Sequence, residues 1–216
     1  MHKLLFFTLL SLSVQISAAE APWVGVDLKN LPCNGGAQGY GPFDYTNPEH
    51  QSYIPIVEEH HFNSNVENHI KGQEGNIVGD IDYTLRAIPN HHRALISMIR
   101  YQLKINSHLI TDSHLISKPE CYLQRAINFS PKDAATLSLY AHYLKELNFF
   151  EKAYKLYKGA LNISPNNAKI AYSFSLMLID LKQYEDALRY AKIAYQYKNT
   201  PSGLKNKLKK LGLWND

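Results

Sequence analysis

Six of the ten histidines, His50, His60, His61, His69, His91 and His92, stand between residues 50 and 92 with Glu58, Glu59, Asp80 and Asp82 among them. Imidazoles and carboxylates hold zinc or copper when three or four converge on one point. The spacing is not that of a ready-made site. Neighbours such as His60 and His61 point about 100° apart on a helix, and the i, i+4 pairing of an HEXXH-type motif is absent. His60, His61, His69, His91 and His92 are the candidate ligands of a metal-binding reading. The competing reading makes them caps, surface groups and core rings, with His91 and His92 at a helix start behind Pro89. Asp80 and Asp82 of "GDIDYTLRA" do not share a helix face and read as capping groups. The chain carries no GxSxG, CxxC or phosphate-cradling glycine loop. The expectation is a protein that is not an enzyme and uses no cofactor.

Cysteine chemistry depends on compartment. The first residues, "MHKLLFFTLLSLSVQISAAEA", combine a basic start, an apolar run from Leu4 to Val14 and small residues around Ser17 and Ala19. This is the pattern of a secretory signal peptide over residues 1–19, cut after Ala19; a retained membrane-anchoring N-terminus is the other reading. No cysteine follows the run, which argues against a lipoprotein, and no later stretch approaches the roughly 20 apolar residues of a membrane span. An exported, periplasmic chain is expected. In that oxidising setting the two cysteines, Cys33 and Cys121, pair as a disulfide, with two buried free thiols as the alternative. Without Lys3 the formal charge falls from +4 to +3, too weak a bias to argue for nucleic acid.

Composition divides the remainder near residue 60. Residues 20–60 are rich in glycine, proline and asparagine and read as an irregular extension. They carry Trp23, Tyr40, Phe43, Tyr45 and Tyr53, more aromatics than a free tail would keep, so the segment is expected to pack. Within it "PFDYTNP" reads as a tight turn held by Asp44. Residues 61–88 read as N-terminal helices, one capped by Ser64 and closed at Gly72, the other carrying Ile81, Leu85 and Ile88 at helical spacing.

From Pro89 onward the chain repeats. "PKDAATLSLYAHYLKELNFFEKAYKLYKGALNIS" from Pro131 aligns without gaps on "PNNAKIAYSFSLMLIDLKQYEDALRYAKIAYQYK" from Pro165, 34 residues later. Each unit reads as a helix hairpin. Ala141 and Ser175 mark the first helices, Ala153 with Ala160 and Ala187 with Ala194 the second, small residues where helices cross closely. Phe150 and Tyr184 open the second helices, and Pro131 and Pro165 separate the units.

These residues resemble the tetratricopeptide repeat. The resemblance implies an all-α solenoid of about three hairpins: a degenerate first repeat over 89–130, a second over 131–164 and a third over 165–198. An irregular N-terminal extension would precede them and a capping helix would follow over 199–216, with Leu204, Leu208 and Leu211 on its buried face. The first repeat is eight residues longer, the excess falling in "INSHLITDSHLIS", and has Ile99 and Pro119 where the others have small residues. In the family the first helix of each hairpin lines a concave face. Here that projects to Arg93, Ile96 and Arg100, then Ser138, His142 and Lys145, then Lys169, Tyr172 and Leu176. Such a mildly basic face with apolar spots would take an acidic peptide segment of a protein partner, unless the N-terminal segment itself occupies it. Similar repeat proteins act as adaptors or scaffolds in the bacterial cell envelope; a periplasmic metal-binding protein using the N-terminal histidines is the alternative.

Overall fold

A computed structural model describes residues 20–107 and 115–214, so the signal-peptide expectation and part of the first-repeat insertion lie outside the described residues. A 3-10 turn over Pro48–His50 and ten α-helices make up the helical structure there: α1 (Ile54–His61), α2 (Ser64–Glu67), α3 (Ile77–Ala87), α4 (His92–Asn106), α5 (Pro119–Phe129), α6 (Ala134–Glu146), α7 (Phe150–Ile163), α8 (Ala168–Asp180), α9 (Tyr184–Ala194) and α10 (Gly203–Lys210). Among the described residues the sole β pairing is an isolated bridge between Val26 and Pro32.

The 34-residue period is a period of local chemistry. Asp133 and Asn167 cap α6 and α8 by accepting backbone N–H bonds two and three residues on. Asn148 and Lys182, 34 apart, both take the left-handed conformation that reverses the chain between the helices of a hairpin. Ala141, Ala153 and Ala160 of one hairpin, and Ser175, Ala187 and Ala194 of the next, are fully buried, so α6 lies closely along α7 and α8 along α9. The Ser175 hydroxyl donates to the Ala187 carbonyl at 2.6 Å, a bond that a larger side chain at the crossing would prevent. Phe174 joins consecutive hairpins by ring contacts with Tyr154, Tyr157 and Tyr190.

The α4–α5 pair meets over a shorter stretch. Ile99 fills the place of a small residue, and Pro119 starts α5 at the position where α7 and α9 already carry buried alanines. The repeat nevertheless reaches further back than the sequence implies. Helices α3, α5 and α7 end alike: Ile88, Ser130 and Ser164 have φ near −130° and ψ near 80°, and each donates its N–H four residues back. Helix α3 packs on α4 as α5 does on α6 and α7 on α8. It is a second helix of one more hairpin, whose first helix is replaced by α1 and α2, broken at Phe62. Of the cap expectations here, Ser64 is corrected: Asn63 accepts from Asn65 and Val66, and α2 stops at Glu67 rather than running to Gly72. Asn76, not either acid, caps α3. Regular structure also begins earlier than expected, with α1 inside the segment expected to be irregular.

The N-terminal segment is packed, and it lies across the second helices α3 and α5. It approaches the start of α4 through Tyr45, whose ring meets those of His91 and His92. Cys33 and Cys121 form the expected disulfide, with Cα atoms 5.3 Å apart. Arg125, 2% exposed, holds the segment from beneath. Its Nε donates to the Ala21 carbonyl at 2.6 Å, Nη1 to Leu85 at 2.7 Å, and Nη2 to Gln38 Oε1 at 2.6 Å and the Arg86 carbonyl at 3.2 Å. Trp23 covers the guanidinium, 5.1 Å from its ring centroid, and meets Tyr122 edge-on. Glycines 36 and 41 let the backbone press against Arg86 and the Ala87 carbonyl, where a Cβ would clash. At the other end of the stack α10 buries Leu204 and Leu208 against α8 and α9. Leu211 is corrected: it follows the helix and is 43% exposed.

Candidate functional site

The histidines do not converge. Each ring is held by a different local partner, because the caps and turns that position them lie on separate elements. His50 Nδ1 accepts from the Asp44 N–H at 2.8 Å, inside the turn that Asp44 closes by accepting from Thr46. His60 faces Glu74 at 3.6 Å on the surface, and His61 meets Asp80 at 3.0 Å. His69, in left-handed conformation after α2, contacts Ser97 through Nε2 and accepts from Lys104 through Nδ1. Burial and the lysine lower its pKa to about 4, so the ring is neutral. His91 caps α4: Nδ1 accepts from the Ala94 N–H at 3.1 Å, so Nε2 carries the proton and donates to Glu58 at 2.8 Å. Burial lowers its pKa against the pull of Glu58. His92 reaches Asp133 at 2.7 Å. Among the described residues no group of three or more His, Cys, Asp and Glu could hold a metal ion.

Of the acids of α3, Asp82 lies under the N-terminal segment with Arg86 and Tyr122, and Asp80 faces α1 and the loop before α3. Asp80 accepts from the Gln73 N–H at 2.6 Å, and Asp82 from Tyr122 at 2.5 Å and Arg86 at 2.8 Å. Both are buried. Each has a partner on both oxygens, Asp80 from Gln73 and His61 and Asp82 from Tyr122 and Arg86 of the same helix, and they are structural groups.

The face of α4, α6 and α8 holds a cleft. Its first part, about 380 Å³, lies between the starts of the three helices, with Arg93, Ile96, Ser138, Leu139, Lys169 and Ile170 in its walls. A second part, about 490 Å³, opens between α8 and the loop after α9, walled by Lys169, Tyr172, Ser173, Tyr197, Thr200 and Pro201. Lys169 and Ser173 belong to both, which makes one trough. Of the nine residues projected from the sequence, Arg93, Ile96, Ser138, Lys169 and Tyr172 line it. Arg100, His142, Lys145 and Leu176 lie elsewhere on the three helices, outside both sets of walls.

Its charge differs from the expected basic lining. Arg93 is bound to Glu67 at 2.5 Å and to Glu58 at 3.1 Å. The Glu67 bond holds the guanidinium pKa up and the carboxylate pKa down. Lys145 bridges Glu146 at 3.1 Å and Asp180 at 3.5 Å, and Lys207 of α10 joins Asp180 at 2.7 Å. This network ties α6, α8 and α10 together. His142, its pKa lowered by burial, borders it through Glu146 at 3.8 Å. Lys169 is exposed and has no carboxylate partner among the described residues. The trough is thus apolar, with one available cation near its middle.

Leu139, Ile170, Tyr197 and Pro201 are wall residues that the sequence reading missed. Leu139 and Ile170 follow projected positions by one residue, about 100° round their helices, so a projection of one face did not reach them. Tyr197 and Pro201 come from the loop beyond the last repeat, where the period carries no signal.

Residues 112–192 match the family described as anaphase-promoting complex, cyclosome, subunit 3, a family of tetratricopeptide-like repeats. The match runs from the insertion before α5 almost to the end of α9, the part in which the hairpins are most regular. A search of curated proteins finds no match to the chain.

Proposed function

We propose that this chain, whose hairpins between residues 112 and 192 are tetratricopeptide-type repeats, is an exported protein interaction module of the cell envelope, an adaptor or scaffold rather than an enzyme. The occupant of its trough is an extended peptide segment of a partner protein. The observation that carries this reading is the trough itself: apolar walls from Ile96 to Tyr172 around a lysine that has no carboxylate partner among the described residues. A ligand with aliphatic or aromatic side chains and one acidic group satisfies both features. Arg93 contributes its aliphatic stem, because its head group is already bound to Glu58 and Glu67.

Export is supported by the apolar run from Leu4 to Val14 and by the disulfide. The periplasm is the compartment this reading assigns. Arg100, His142, Lys145 and Leu176 flank the trough as secondary contacts.

Selection from a library of random displayed peptides tests the reading. Enrichment of sequences with an acidic residue close to an apolar one, lost against Ile96→Asp and Lys169→Glu variants of native helicity, is the expected result. No enrichment, or enrichment indifferent to both substitutions, removes the trough as the binding site.

A further inference from the structure

The end of the stack opposite α1 carries a charge pattern that the trough does not use. Residues 187–215 contain seven lysines and arginines and no aspartate or glutamate. Four of the lysines are on α10, whose other face buries Leu204 and Leu208. The helix therefore presents its cations at the terminal surface of the stack. Arg189 is bonded by Asp186 at 2.6 Å and Lys207 by Asp180 at 2.7 Å, both acids outside the run. Lys192, Lys198 and Lys210 are exposed. An apolar group stands among them, Leu211 at 43% exposed, and Lys205 lies 5.3 Å from the centroid of the partly buried Trp214 ring.

We propose that this end docks on the surface of a bilayer containing anionic phospholipid. The cations are spread over α9, the loop and α10 instead of converging, which matches a laterally uniform anionic surface better than a single carboxylate or phosphate. Lysines near such a surface add their attractions almost independently, while the exposed Leu211 side chain enters the headgroup layer. Because the leucines of α10 face the stack, contact is superficial and reversible, and no helix among the described residues is long and apolar enough to cross a membrane. This leaves the trough open to a peptide while the protein stays at the membrane surface.

Cosedimentation of the purified protein with vesicles tests the proposal, comparing phosphatidylcholine alone with a mixture containing phosphatidylglycerol. Binding is expected for the mixed vesicles only, and should fade toward roughly 0.5 M salt, where the Debye length is about 4 Å. The triple variant Lys192→Gln, Lys198→Gln, Lys210→Gln should partition about 100-fold less, from roughly fivefold per lysine. The Lys29→Gln, Lys71→Gln control, on the N-terminal side, should bind as the unaltered protein does. Absence of binding at low salt, equal binding to neutral vesicles, or binding unchanged in the triple variant overturns the proposal. So does self-association in sedimentation that disappears in the triple variant without vesicle binding, since the basic end would then meet a second copy. If the triple variant loses its helicity, the salt response of the unaltered protein decides: binding that ignores salt contradicts a charge-driven contact.

Discussion

The guanidinium of Arg125 reaches the carbonyl of Ala21, 104 positions earlier, at 2.6 Å. With three further bonds to Leu85, Gln38 and Arg86, this makes one buried side chain the junction of the N-terminal segment, α3 and α5. Burial lowers its pKa to about 10, still well above neutrality, so the charge is retained. Arg125→Ala leaves these acceptors without their donor and should cost about 3–5 kcal/mol. Arg125→Lys, which cannot reproduce the planar fork, should fall between. Chemical denaturation followed by Trp23 fluorescence checks this, and an Arg125→Ala midpoint equal to that of the parent would refute the junction.

The Cys33 to Cys121 bond closes a loop of 88 residues over the same junction. The chain-entropy model gives about 4–5 kcal/mol as an upper guide. The Cys33→Ser, Cys121→Ser double variant should melt on the order of 10 °C lower at this chain length, yet remain folded because the Arg125 bonds persist. Calorimetry with and without reductant provides the comparison. A parent protein indifferent to reductant would argue that the bond adds nothing.

At the hairpin crossing, Ala153 is fully buried. Ala153→Leu forces α6 and α7 apart and should cost about 1–3 kcal/mol. Gly159→Ala, in the same helix where a Cβ meets nothing, should be neutral or gain up to about 1 kcal/mol. Equal midpoints for the two variants would contradict the crossing.

Acid should weaken the fold beginning near neutrality. Burial lowers the folded-state pKa of His69 from 6.5 to about 4, so the unfolded chain takes up the proton first. Stability is therefore lost as pH falls from about 6.5 toward 4, and His91 and His142, also lowered by burial, act in the same direction. Glu58 and Glu67, lowered by bonds from His91 and Arg93, add losses below about pH 4.5. After discount for its partial exposure, His69 contributes on the order of 1–2 kcal/mol. His69→Asn, which tolerates the left-handed backbone, should flatten the stability profile between pH 6.5 and 4.5. A parent profile already flat there would contradict the assignment.

The repeat was legible because its signals are local and recur. Ala141 with Ser175, Ala153 with Ala187, and Pro131 with Pro165 report the same crossings and the same breaks at one spacing. The earliest hairpin was not, because its first helix is broken at Phe62 and only its C-terminal geometry at Ile88 preserves the pattern. Asn63 and Ser64 are both good caps, and sequence alone could not choose between them. Five of the nine projected groove residues line the trough. Its charge was misread because Glu58, Glu67 and Asp180 come from neighbouring elements, and no helix pattern predicts which cation an acid from another helix will neutralise.

The trough as a peptide site is the central claim, and titration calorimetry of one selected acidic peptide tests it most directly. The affinity for Lys169→Gln should be about tenfold or more below that of the parent, from the loss of one charge-assisted bond. Arg93→Gln, whose head group is already bound, should change it by less than about threefold. Equal affinities for the parent and Lys169→Gln, or a larger loss at Arg93, would contradict the site as described.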